Sequence, residues 1–96
     1  MTPSAAETIA LAALGWLAAQ DDLWPVFLGA TGADAAAVRL SVRAGAADAE
    51  FLAAVLDFIL MDDAWVMAAA AAQECAPERL AQARAALPGG ASVHWT

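Results

Sequence analysis

The chain has no lysine and no tyrosine, and only one cysteine, one histidine and three serines among its 96 residues. Each shortage excludes a class of chemistry. A single cysteine, Cys75, cannot form an internal disulfide, and it is expected to pack rather than react. Structural zinc takes about four Cys or His ligands, and Cys75 and His94 are the whole supply. Ser92 and His94 come closest to a nucleophile with its base. They lack the tight turn and the oxyanion donors that such a pair needs, so they read as part of a solvated tail. No catalytic residue, cofactor or metal ligand is expected, and the chain is not expected to be an enzyme.

Positive charge is equally scarce. Four arginines, at 39, 43, 79 and 84, face eleven acids, for a net charge of −7. The resulting field repels phosphates and anionic lipid surfaces. A helix-turn-helix over residues 22–44, with Arg39 and Arg43 on DNA phosphates, is therefore set aside, and neither nucleic acid nor membrane is expected as a partner. The acid surplus lies mostly in the second half: four acids and two arginines up to residue 45, seven acids and two arginines after it.

Long apolar runs are missing too. No window reaches the ~18 uninterrupted apolar residues of a spanning helix, because Asp57 breaks "FLAAVLDFILM" and Gln73 and Glu74 stop "AWVMAAAAA". Residues 9–19 resemble the centre of a signal peptide, but Glu7 stands where positive charge belongs and no basic residue precedes Arg39, so the segment is read as retained and the protein as cytoplasmic.

What the chain does have is alanine. Hydrophobic residues make up 62% of it, and 30 of them are alanines, which favour helix more than they drive burial. The pattern predicts an all-α fold: a compact single domain over 1–90, built as an array of five or six short helices, with an extended tail at 91–96. The first helix is expected from Ser4, capped through Ser4 and Glu7, to about Gln20, with Ile9, Leu14, Trp16 and Leu17 on its apolar stripe. The second is expected from an Asp21 cap to about Ala30, with Pro25 in its first turn and Gly29 and Gly32 at its end. Asp34 would cap a third to about Ala44, and Asp48 a fourth whose Phe51, Leu52, Val55, Leu56, Phe58, Ile59 and Leu60 belong at the centre. A fifth would run from Asp62 to about Glu74, and a sixth from Pro77 to near Leu87.

Asp21-Asp22-Leu23-Trp24 is echoed at Asp62-Asp63-Ala64-Trp65. Residues 11–30 laid over 52–71 agree at seven of twenty positions, and the order of elements repeats as well: a long apolar helix, an aspartate pair, a Trp on a second helix, then a short third helix. This predicts a degenerate repeat of three helices. Asp21 and Asp62 are then caps, and Trp24 and Trp65 are wedges against the preceding helix. Two adjacent aspartates at one helix start supply too few oxygens for a hard cation.

The segments "ALGWLAAQDDLWPVFLGATGAD", "AEFLAAVLDFILMDDAWVMAAAA" and "PERLAQARAALPGG" resemble an alphaproteobacterial family known only as domain of unknown function 3572, over about Glu7 to Gly90. That family usually has Leu-Asp-Pro entering its third and sixth helices, where this chain has Ala33-Asp34-Ala35 and Cys75-Ala76-Pro77. The resemblance implies an all-helical fold in a bacterial cytoplasm. It implies no activity, cofactor or functional residues.

By function, the chain reads first as an interaction or regulatory module with a protein partner. The expected contact residues are the acids Asp57, Asp62 and Asp63 and the tail residues Val93 and Trp95, which alternate as an extended segment would; the tail is expected to fold back on its own domain first, with insertion into a partner as the alternative. A structural homodimer is the second reading. The third is a small-molecule-binding protein with a pocket near Trp16, Trp24 and Trp65.

Overall fold

The computed structural model describes residues 1–43 and 48–87. Among them every regular element is a helix: α1 (Pro3–Ala18), α2 (Trp24–Thr31), α3 (Ala35–Arg43), α4 (Ala49–Ile59), α5 (Asp63–Ala72) and α6 (Glu78–Ala86). The expected all-α, single-domain array is what forms. The expected end of the third helix near Ala44, and the tail at 91–96, lie outside the described residues.

α4 is the buried centre that its side chains predict. Leu52, Ala53, Val55, Leu56, Phe58 and Ile59 are all buried, and α1, α2, α5 and α6 all pack on it. α1 lies across α4 and α6 and buries Ala6, Ala10, Ala13, Leu14 and Leu17. The alanines, not Ile9 and Trp16, form the deepest part of that face; Ile9 and Trp16 are half-buried. Alanines at this spacing share one helix face and let neighbouring backbones come close. Gln73, which ends α5, donates from Nε2 to the Ile9 carbonyl at 3.3 Å and ties that helix to α1.

Two expected helix starts are corrected. α1 begins at Pro3, and its cap is Thr2, whose Oγ1 accepts the Ala5 N–H at 3.1 Å. Proline has no N–H to lose in the first turn, so the helix extends past Ser4, whose carbonyl instead accepts the Thr8 hydroxyl. Asp21 does not cap α2: residues 21–23 form turns, and α2 starts at Trp24 with no side-chain cap. The reason is Pro25. In the second half Val66 donates its N–H to the Asp62 carbonyl at 3.1 Å. Pro25 has no hydrogen to give Asp21, and its ring crowds that carbonyl, so the helix cannot begin there. Gly29 lies inside α2, while Gly32 ends it in the left-handed region at φ 72°, with its N–H on the Leu28 carbonyl.

α4 and α5 start where aspartate puts them, whereas Asp34 makes no side-chain cap bond to α3 among the described residues, and α6 starts at Glu78, one residue after the expected Pro77. Asp48 accepts from the Glu50 N–H at 3.2 Å and Asp62 from the Ala64 N–H at 2.8 Å. α5 stops at Ala72 rather than Glu74. Glu74 takes a left-handed φ of 56°, and the Glu74 and Cys75 amides turn back to the carbonyls of Ala71 and Ala70. This is the Schellman closure, made here with a glutamate where glycine is usual.

The repeat is visible in the helix ends and broken in the third helix. α1 and α4 end forty-one residues apart, as do α2 and α5. α6 then packs on both α1 and α4 and buries Leu80 and Ala83, whereas α3 buries no residue and only Ala35 and Val38 are half-covered. An aromatic run joins the halves. Trp24 stacks on Phe27 at 5.7 Å, Phe27 meets Phe58 edge-on at 5.4 Å, and Phe58 stacks on Trp65 at 5.1 Å. Trp65 thus wedges against the preceding helix as expected, while Trp24 stacks on a residue of its own helix.

Two stability effects follow. Asp62→Ala should lower unfolding free energy by about 1 kcal/mol, and Asp21→Ala should change it by less than about 0.5 kcal/mol. Equal losses in urea unfolding would show that Asp21 caps α2 after all. Glu74→Gly should raise stability by about 0.5–1 kcal/mol by removing the left-handed penalty, read as a higher urea midpoint at unchanged slope.

Candidate functional site

The loose seating of α3 leaves a solvent-open groove of ≈ 420 Å³ between α1, α2 and α3. Its floor comes from one stripe of α1: Leu11, Leu14, Gly15 and Ala18 recur three and four residues apart and so share a face. Leu14 is buried, but Leu11 is 39% exposed, and the side chains at 15 and 18 are too small to fill the space above them. A Cβ built on Gly15 meets nothing within 4 Å. Trp24 lines the groove from α2, and Val38 and Val42 line it from α3, with Val42 40% exposed.

Arg39 and Arg43 complete the lining. They are four residues apart on α3, one turn along the same face. Neither guanidinium has a hydrogen bond or ion pair among the described residues, and no acid lines the groove. In a chain of net charge −7, two unpaired arginines beside an apolar surface form a local positive site of the kind that recognises a planar anion.

The second half shows what the first lacks. In the register that aligns 11–30 with 52–71, Gly15 falls on Leu56, Ala18 on Ile59 and Trp16 on Asp57. Leu56 and Ile59 are fully buried. Asp57 accepts from Arg84 Nε at 2.6 Å, and Arg84 is the residue on which Arg43 falls when the register continues without a gap. The first half therefore keeps the arginine and has neither the carboxylate nor the two branched side chains.

The residues expected to carry contact lie elsewhere. Asp57 is held in the Arg84 pair, Asp62 caps α5, and Asp63 occupies the first turn of α5. Val93 and Trp95 lie outside the described residues. Of Trp16, Trp24 and Trp65, only Trp24 lines the groove. A smaller depression of ≈ 260 Å³ beside α3 runs past Asp34, Ser41, Asp48 and Phe51, and Asp48 there is engaged as the α4 cap. Cys75 is half-buried and unbonded to sulfur, and no group of three or more His, Cys, Asp or Glu among the described residues is placed to hold a metal ion. No helix among them is long and apolar enough to cross a membrane.

Over residues 3–90 the chain matches the family model described as Protein of unknown function (DUF3572). It belongs to that family. No curated protein and no solved structure matches it. The DUF3572 match spans all six helices, so the groove, its two arginines and the Asp57–Arg84 pair all lie within the family's domain.

The groove was not read from the sequence because it is made of what is missing. In the sequence Arg39 and Arg43 read only as contacts to DNA phosphates. The signal that could have found it was the contrast of Gly15 and Ala18 with Leu56 and Ile59 in the aligned halves. If the floor is as open as the geometry shows, Gly15→Ala should raise stability by about 0.5–1 kcal/mol through helix propensity alone. A loss in urea unfolding would show that the space is occupied.

Proposed function

We propose that the protein is a binding module, an interaction or regulatory domain without a reaction of its own, and that its contact site is the groove beside α3. One observation carries this reading: an open apolar groove carries both arginines of the first half, unpaired among the described residues, while the aligned positions of the second half hold the buried Leu56 and Ile59 and the Asp57–Arg84 pair. A concave, mainly apolar surface with a few convergent polar groups is the usual form of a binding site. The residue supply argues against catalysis, since the groove offers no nucleophile and no acid or base with a pH-poised side chain. The setting implied by the family resemblance, the cytoplasm of an alphaproteobacterium, belongs to the same proposal.

The acids Asp57, Asp62 and Asp63 remain a separate contact surface within this reading, in competition with the groove. An occupant of either surface stabilises the folded chain by mass action. The test compares thermal unfolding of the purified chain with and without extract of the source cells. It uses the wild type, Gly15→Leu, which fills the groove, and a variant with Asp57, Asp62 and Asp63 changed to Asn. Protection of the wild type and the Asn variant but not of Gly15→Leu is the expected outcome. Protection lost only in the Asn variant would move the contact site to the acidic face.

A further inference from the structure

The groove states the chemistry of its occupant through its counterpart in the second half. At the aligned positions Leu56 and Ile59 are branched and fully buried, and Asp57 supplies a carboxylate to Arg84. In the first half Gly15 and Ala18 leave the aliphatic part empty, Trp16 stands where that carboxylate would be, and Arg43 with Arg39 has no anion among the described residues. A ligand that completes the first half must bring an aliphatic body and a carboxylate together. We infer that the groove binds a small amphipathic carboxylate, its aliphatic body over Gly15 and Ala18 and its head group on Arg39 and Arg43.

Charge and size both fit this occupant. Guanidinium groups match a carboxylate with two parallel N–H donors, and the adjacent apolar wall lowers competition from water. Among the described residues no acid lines the groove, so none of them competes for the arginines. The volume, ≈ 420 Å³, falls in the range of small-molecule sites, roughly 300–1,000 Å³, and Trp24 walls the groove on the α2 side. A flat protein partner would not need such a recess. The inference rests on the groove being the contact site, and it adds the class of compound that enters.

The experiment is calorimetric titration of the full chain with decanoate and with decanol, its uncharged counterpart, both kept below the concentrations at which they aggregate. Saturable binding of decanoate, with decanol weaker, is expected. Arg39→Gln with Arg43→Gln should weaken decanoate by about tenfold or more, the loss of a charge-assisted hydrogen bond, and leave decanol unchanged. Gly15→Leu and Ala18→Leu should each abolish binding of both compounds. Both positions are exposed, and two independent fillings guard against one variant failing to fold; helical circular dichroism and the thermal midpoint check each variant. Equal affinity for decanoate and decanol, or undiminished decanoate binding in a well-folded filled variant, would overturn the inference. Protection by the macromolecular fraction of the extract, lost in Gly15→Leu, with no saturable binding of decanoate, would overturn it too. In that last case the groove would still be the contact site and its occupant a protein.

Discussion

The contact between α1 and α4 is the constraint on which the other helices depend. α4 buries six side chains against its neighbours, and α1, which packs on both α4 and α6, buries Ala6, Ala10 and Ala13 beside Leu14 and Leu17. A chain of 96 residues has little interior to distribute. Here that interior is concentrated in one helix with six buried side chains and in the buried face of α1. α6 closes the pair from one side and Phe27 of α2 from another, where it is wholly buried and meets both Phe51 and Phe58 edge-on. Such ring pairs add directional preference to an otherwise non-directional burial, and they fix α2 although that helix has no side-chain cap.

Much of this fold could be read in the sequence because its signals are local. Asp48 and Asp62 cap where aspartate should, the apolar coverage of α4 puts it at the centre, and Gly32 stops α2 with a left-handed turn. The misreadings at Ser4, Asp21 and Glu74 share a cause. At each, a second residue or a tertiary demand overrode a sound local preference: Pro3 let α1 start early, Pro25 withheld the bond that Asp21 needed, and the turn into α6 required a left-handed residue whatever its side chain. The depth of Ala6, Ala10 and Ala13 was hidden for a different reason, since alanine is so common here that no periodicity in it stands out.

The site was less legible than the fold. Hydrophobic pattern reports what is buried, and the groove is defined by small residues that leave space. The repeat supplies the missing reference. A glycine opposite a leucine and an alanine opposite an isoleucine have meaning only once the other half shows buried side chains at the aligned positions, and the Asp57–Arg84 pair has no equivalent at Arg43 among the described residues. An acidic chain with few arginines also places each one informatively: Arg84 is committed to the fold, and Arg39 and Arg43 are not.

The light seating of α3 has a consequence for motion. With no fully buried side chain, α3 is held by the half-covered Ala35 and Val38 and by its own backbone bonds, so lifting it costs far less than separating α1 from α4. Local opening free energies scale with the apolar contacts broken, so the amides of α3 should exchange with solvent through a small, sub-global opening, while those of α4 exchange only when the whole domain unfolds. The wall of the groove is therefore its least anchored part, and this one short helix can shift without any loosening of the core.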